Sequence, residues 1–130
     1  MKTLAEITEK DIAALTEGPK TDALVAEATG QTFKRPDKWL SCVWHRYSKH
    51  PEAWGPYQPS TDHNAAAEAT MHMASETGWR LCLDISATKT SAWWTGDGCP
   101  LDRGDVRTAD AEPLARCKAV LLAAVMRRQP

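Results

Sequence analysis

The sequence has no long hydrophobic run, since its longest apolar stretch, Ala119 to Met126, is eight residues. A helix that crosses a bilayer needs about 20 such residues, so no membrane span is predicted. The first residues become acidic at once and contain no apolar segment of the signal-peptide type. We therefore expect a cytoplasmic protein, in the cytosol of the cell that makes it.

An excess of charge of one sign is also missing. Sixteen Lys and Arg stand against 17 Asp and Glu, which gives a formal net charge of −1. Proteins that bind nucleic acid in general carry a widespread basic field. The composition therefore argues against general nucleic-acid binding, although a local basic patch can still hold a small anion.

Recognised catalytic and cofactor motifs are missing as well. The four cysteines form no CxxC pair, and Cys42 and His45 have the spacing of only half a zinc site. The chain has no Gly-rich phosphate loop, no HExxH and no GxSxG. Glu68, His72 and Glu76 share one helix face, where weak ion pairs on a solvated surface explain them. We predict no cofactor, no metal site and no catalytic residue.

Capping residues and apolar spacing predict four helices. Their expected ranges are 3–17, about 21–29, 60–77 and 110–128. Glycines at the ends of the second and third ranges suit the left-handed conformation that often terminates a helix. The last helix has the clearest apolar stripe of the chain: Leu114, Cys117, Leu121, Ala124 and Val125.

Alternating side chains predict a β-hairpin after the third helix. Apolar residues from Trp79 to Ile85 share one face of a strand, a polar turn follows, and Ala92 to Thr95 returns as the second arm. The piece Trp39 to Tyr47 lacks Pro and Gly and is compatible with a third strand, whereas Gly96 to Ala109 is expected to be a polar loop. The element order predicts a single α+β domain, residues 1–130, with an antiparallel sheet sandwiched by helices (an α/β/α sandwich).

Six of the nine aromatic residues lie between Gln31 and Gln58, a range that we call the aromatic–basic segment. Five Lys and Arg stand against two acidic residues there, so its formal charge is +3. Rings beside cations hold planar or anionic ligands by stacking and by charged hydrogen bonds. The predicted ligand-binding residues are four rings and four cations of this segment: Lys34, Arg35, Trp39, Trp44, Arg46, Tyr47, Lys49 and Trp54.

Packing in the core is the alternative role for these rings. For a single Trp in a chain of this size it is the commoner role, and neighbouring cations often merely cover a ring face. What favours a ligand site is the coincidence of rings, cations and a Pro-rich backbone, because binding residues tend to lie on loops that a rigid scaffold positions.

Three blocks of sequence, 20–30, 59–68 followed by Gly78-Trp79, and 111–121, occur in an order that resembles the phage ABA sandwich domain, a family of small bacteriophage proteins. The second block, a Ser-Thr-Asp helix start before an alanine run, is the most specific of the three. The resemblance implies a phage or prophage origin and a sheet sandwiched by helices. It implies no catalytic residues.

Three hypotheses about function follow. The first is a non-enzymatic phage accessory protein that binds a small nucleotide-like ligand, such as a host immune second messenger, and sequesters it as an anti-defence sponge. The second is a protein-interaction module whose exposed rings contact a host or phage protein. The third is a weak hydrolase that uses His63 or His72 with nearby carboxylates.

A homo-oligomer is also expected, most simply a dimer. The adjacent Trp93 and Trp94 lie on a predicted strand, so one ring points to each face and one of the two is expected to be exposed. Exposed ring area of this kind often marks a contact between like subunits.

Overall fold

The computed structural model describes residues 3–47, 49–100 and 107–128. These residues form four helices and two three-stranded antiparallel sheets, which confirms the predicted α+β class. The helices are α1 (Glu9–Ala13), α2 (Pro19–Ala28), α3 (His63–Thr77) and α4 (Glu112–Arg128). The strands are β1 (Phe33–Lys34), β2 (Trp44–Tyr47), β3 (His50–Pro56), β4 (Arg80–Ile85), β5 (Thr90–Thr95) and β6 (Arg107–Ala109).

Helix α4 is the centre of the hydrophobic core. It contacts α1, α2 and α3 as well as strands β5 and β6. Between Leu114 and Ala123 every side chain except Arg116 is buried, so the helix is enclosed on nearly all sides. The indole Nε1 of the buried Trp94 donates a hydrogen bond of 2.8 Å to the Ala119 carbonyl and ties β5 to this helix.

The predicted hairpin is confirmed as β4–β5, with Leu81 opposite Trp94 and Leu83 opposite Ala92. The third strand of this sheet, β6, lies at the end of the expected polar loop and pairs with β5; residues 101–106 of that loop lie outside the described residues. Ile85, expected on the inward face, is 61% exposed because it ends its strand at the turn.

Trp93 and Trp94 point to opposite faces of β5, as the alternation predicts. Trp94 is buried, whereas Trp93 is half-buried rather than exposed. The exposed ring area is therefore smaller than expected from the prediction that one of the two tryptophans is exposed. The homo-oligomer stays a prediction.

The aromatic–basic segment forms the other sheet, in the order β1-β2-β3. Of the predicted strand from Trp39 to Tyr47 only β2 is observed, because the Asp37 carboxylate accepts hydrogen bonds from the amides of Trp39 and Leu40 and holds a turn there. Strand β3 was not predicted, since it contains Pro51 and Pro56. It is an edge strand, where a residue without an amide hydrogen is tolerated.

The first predicted helix, 3–17, is wrong in its extent. Thr3 does bond to the Glu6 carboxylate as a capping box requires, but only a turn follows. A second capping box, in which Thr8 and Asp11 exchange side-chain and backbone bonds, starts α1 instead. The second and third helices are confirmed, with Asp62 as the N-cap of α3 and Gly78 (φ 77°) as its left-handed C-cap.

Candidate functional site

A cleft of about 850 Å³ lies between the β2–β3 hairpin, the first half of α3 and the chain that follows α2. Small-molecule sites in proteins commonly have volumes of about 300–1,000 Å³, so this cleft has the size for a ligand of that class. Its polar lining residues are Thr29, Gln31, Thr32, His45, Arg46, Tyr47, Lys49, His50, Tyr57, Asp62, Asn64, Glu68 and His72.

The structure brings together only part of the predicted ligand-binding set. Tyr47 and Lys49 line the cleft, and so does Arg46, although its guanidinium lies over Trp54 on the other face of the sheet. The other five lie outside it: Lys34, Arg35, Trp39, Trp44 and Trp54. Strand alternation is the reason, because residues that are neighbours in sequence point to opposite faces of the sheet.

Trp54 and its cations cover the sheet face that the cleft does not use. Arg46 is the partner of Trp54 across the β2–β3 ladder, so the two side chains share a face. Lys34 Nζ lies 4.2 Å and the Arg46 guanidinium 5.4 Å from the Trp54 ring centroid. Cation–π contacts at such surface positions are worth about 0.5–1 kcal/mol each. The Trp54 ring face is therefore covered by Lys34 and Arg46, as the core-packing alternative describes for a ring with neighbouring cations.

The remaining predicted residues lie on separate parts of the surface. Trp39 is 82% exposed at the tip of its turn, and Lys38 Nζ lies 5.1 Å from its ring centroid. Arg35 pairs with Glu27 at 3.9 Å. Trp44 is half-buried on the same strand face as Arg46.

Tyr47 reaches the cleft because Gly55 lies beneath it. An added side chain at Gly55 would collide with the Tyr47 hydroxyl and with its ring carbons, the latter at 2.6 and 2.9 Å. Tyr47 also meets the His45 ring edge-on, with centroids 5.0 Å apart. A tyrosine placed in this way offers a ring, 41% exposed as a residue, on the wall of the cleft.

His45 is the most constrained polar side chain of the cleft. Its Nδ1 lies 2.5 Å from the Gln31 Oε1, and its ring is 4.6 Å from that of Tyr57. Burial lowers the pKa of His45 below its ordinary value of 6.5, and the nearby Glu68 carboxylate opposes that shift only in part. The imidazole is therefore neutral at pH 7.

Tyr57 forms the deep part of the same wall. It is buried, and burial raises the pKa of its hydroxyl to about 12, opposed by the proximity of Gln31 and Thr29. Within the described chain its Oη has no hydrogen bond of good geometry, so Gln31 and Thr29 interact with it only weakly. Thr29 and Gln31 instead have well-formed hydrogen bonds to partners of their own.

Helix α3 supplies the opposite wall. Ala65, Glu68, Ala69 and His72 follow helical spacing and face the cleft. His72 Nε2 lies 3.8 Å from the carboxylate of Glu76, which also pairs with Arg127 at 3.8 Å. Sequence reasoning assigned Glu68 and His72 to a solvated face, and nothing local could show that a sheet lies across from them.

His63, the other histidine of the hydrolase hypothesis, lies outside the cleft and pairs with Glu112 at 3.6 Å. Among residues 3–47, 49–100 and 107–128 no group of three or more His, Cys, Asp or Glu side chains is placed to hold a metal ion. None of the helices within these ranges is long and apolar enough to cross a membrane.

A buried polar link joins α2, the helix that precedes one part of the cleft lining, to the chain that leads into α3. The Asp22 carboxylate on α2 accepts a 2.8 Å hydrogen bond from the Ser60 amide, and the Gly18 amide donates to the Ser60 hydroxyl at 3.0 Å. Both Asp22 and Ser60 are buried. This link joins the start of α2 to the chain that leads into α3, the helix that forms one wall of the cleft.

No protein-family model, no curated protein and no solved structure matches this chain. The resemblance to the phage ABA sandwich domain therefore stays a prediction.

Proposed function

We propose that this protein binds a small nucleotide-like ligand in the cleft between the β2–β3 hairpin and α3. The observation that carries the proposal is the separation of charge across this cleft. The hairpin wall contributes the exposed Lys49, and the α3 side contributes Asp62 and Glu68. A nucleotide has the matching polarity, with an anionic phosphate end and a base or ribose that donates hydrogen bonds.

The aromatic side chains of the cleft support the same class of ligand. Tyr47 presents a ring at the wall, and every nucleobase has a face that stacks on such a ring. Lys49 is exposed on the same hairpin and can meet a phosphate without losing an existing ion pair to a described residue. Stacking at one point and charge at another would hold the ligand in one orientation.

The biological role that we attach to this binding is sequestration in the cytosol. A protein that holds a host immune nucleotide without consuming it lowers the free concentration of that messenger, as an anti-defence sponge does. The support for a phage origin is the resemblance of the three sequence blocks, so this part of the proposal depends on that family.

The test is calorimetric titration with AMP, ADP-ribose, cyclic di-AMP and cyclic di-GMP. We expect at least one of these compounds to bind and to be recovered intact. The Lys49→Ala variant should bind that compound about 10- to 150-fold more weakly, since a charged hydrogen bond is worth about 1.5–3 kcal/mol. Lys38→Ala is the matched control, because Lys38 lies over Trp39 and away from the cleft. Absence of binding by all four compounds would refute the proposal, and turnover of a bound compound would favour the hydrolase hypothesis.

The exposed Trp39 favours a second candidate, a protein-interaction module. The Asp37 turn holds this ring outside the fold, and Trp is the residue type most enriched among interface hot spots. If a partner protein docks there, Trp39→Ala abolishes capture of a stoichiometric, nuclease-resistant partner on protein-coated beads, whereas Ile85→Ala, at another exposed apolar residue, retains it. Equal recovery by both variants would remove Trp39 from the interface.

A further inference from the structure

A chain of three hydrogen bonds determines which nitrogen of His45 carries the proton. The Gln31 side-chain oxygen lies 2.5 Å from His45 Nδ1. An amide carbonyl oxygen can only accept, so Nδ1 must be the donor. In the neutral ring the other nitrogen, Nε2, is then unprotonated and has a free lone pair.

The orientation of the Gln31 amide is itself determined by Thr29. The Thr29 hydroxyl directs its single hydrogen to the carbonyls of Val25 and Ala26, at 2.9 and 3.3 Å, so its oxygen is left to accept. Gln31 Nε2 donates to that oxygen at 2.9 Å. Turning the amide over would place an oxygen against Thr29 Oγ1, and the hydroxyl would have to give up its bonds to Val25 and Ala26 to pair with it, so the observed bonds favour one amide orientation and one tautomer of His45.

Nε2 is available to a ligand. Among the described residues this atom has no hydrogen-bond partner. It is also not one of the buried side-chain atoms, such as Tyr57 Oη, that lack a partner there, so solvent reaches it. The Tyr47 and Tyr57 rings hold the plane of the imidazole from two sides. The titratable groups around His45 are Glu68 on α3 and these two tyrosines, and His50, His72, Asp62, Arg46 and Lys49 lie elsewhere on the cleft lining.

We propose that His45 is the specificity-determining acceptor of the cleft, and that its Nε2 accepts a hydrogen bond from an amino, imino or hydroxyl group of the ligand. This deepens the proposed function and rests on it. A ligand with a carbonyl oxygen at that point would place two hydrogen-bond acceptors against each other. A site built to bind a donor discriminates strongly against such a ligand. The amino group of a nucleobase or a ribose hydroxyl meets the requirement.

The tautomer is tested without any ligand. Long-range ¹H–¹⁵N correlation spectra of ¹⁵N-labelled protein at pH 7 are expected to show His45 as the neutral ring with its hydrogen on Nδ1. Gln31→Leu removes the acceptor and should release this preference, whereas His63, which faces no such carbonyl, is the internal reference and should be unaffected. A His45 ring protonated on Nε2, or on both nitrogens at pH 7, would overturn the inference whatever the protein binds.

The acceptor role is tested by titration with ADP-ribose, whose phosphates do not change charge between pH 5 and 8. His45→Asn keeps a donor toward Gln31 but has no atom at the Nε2 position, and we expect about tenfold weaker binding, whereas His45→Gln reaches that position and should restore part of the loss. Affinity of the wild type should fall as the pH drops through the lowered pKa of His45, because the protonated ring no longer accepts. In His45→Asn this pH dependence should disappear.

The two arms separate the possible failures. If His45→Asn binds with unchanged affinity while the wild-type spectra show the expected tautomer, the acceptor role is overturned. The nucleotide site is then supported by the effect of Lys49→Ala alone. If neither ADP-ribose nor another member of the titration series binds, the proposed function fails and the acceptor role with it, while the ligand-free spectra still report whether the Thr29–Gln31–His45 chain exists. Thermal melting of each variant confirms that it is folded.

Discussion

Replacing Leu121 by alanine is expected to lower the free energy of unfolding by about 2–5 kcal/mol. Leu121 is fully buried in α4, the helix that contacts three other helices and two strands. Removing its side chain leaves a cavity that these elements cannot all close. Urea unfolding followed by circular dichroism measures the change, and the denaturant slope should stay constant if the variant still unfolds in two states.

Met71→Ala is the matched control for Leu121→Ala, because Met71 is also a helical residue but is 70% exposed. Surface substitutions of this kind usually change stability by less than about 0.5 kcal/mol. Equal stability of the two variants would mean that α4 is not the centre of the core, and the packing of the sheet on that helix would be refuted with it.

The second large effect is expected at Asp22. Alanine at this position leaves the buried Ser60 amide without its acceptor, and an unsatisfied buried donor costs about 1–3 kcal/mol. Because the link sets the distance between α2 and the start of α3, Asp22→Ala should also weaken ligand binding in the cleft. Chemical denaturation and the same titration measure the two effects.

Asp22→Asn should behave differently from Asp22→Ala. Asparagine keeps an acceptor oxygen for the Ser60 amide and carries no charge into the interior. Burial raises the pKa of Asp22 above 3.8, although hydrogen bonds from Ser60 oppose the shift, so the fold favours the neutral acid more than the unfolded chain does. Its contribution to stability is present below pH 3.8 and is lost as the pH rises through the folded pKa.

The comparison of Asp22→Asn with the wild type should therefore depend on pH. At pH 7 the asparagine variant is expected to be at least as stable as the wild type, and below about pH 4 this advantage should vanish. If Asp22→Asn instead loses as much free energy of unfolding at neutral pH as Asp22→Ala does, both carboxylate oxygens are needed and the fold compensates the charge of Asp22.

The elements that were predicted correctly have their signals within a few residues of one another. Helix α3 is one example, since a capping carboxylate at Asp62 and a left-handed Gly78 bracket its alanine-rich run. The β4–β5 hairpin is another, because its alternation and polar turn are contiguous. Where two local signals competed, as with the capping residues at Thr3 and Thr8, the sequence alone did not show which of them starts a helix.

The candidate site was predicted only in part because a cleft is a property of one face of a sheet. The ring-and-cation composition of the aromatic–basic segment identified Arg46, Tyr47 and Lys49, which do line it. The composition could not show that Trp54 lies on the other face, since the position and register of β3 decide that. The composition also left out His45, because nothing in the residues around it indicates that its ring pairs with the side-chain oxygen of Gln31.

The sequence by itself determined the class of the fold, the positions of α2 and α3, and the segment from which one wall of the cleft is built, because helix caps, apolar spacing and charge act over a few residues. Only the tertiary structure decided that Glu68 lies near His45, that Thr29 and Gln31 orient this ring, and that Asp22 holds Ser60. Apart from the bond between Thr29 and Gln31, these contacts join residues that are distant in the chain. The link between Asp22 and Ser60 also depends on the buried α4, which contacts both α2 and α3, and no local pattern encodes that packing.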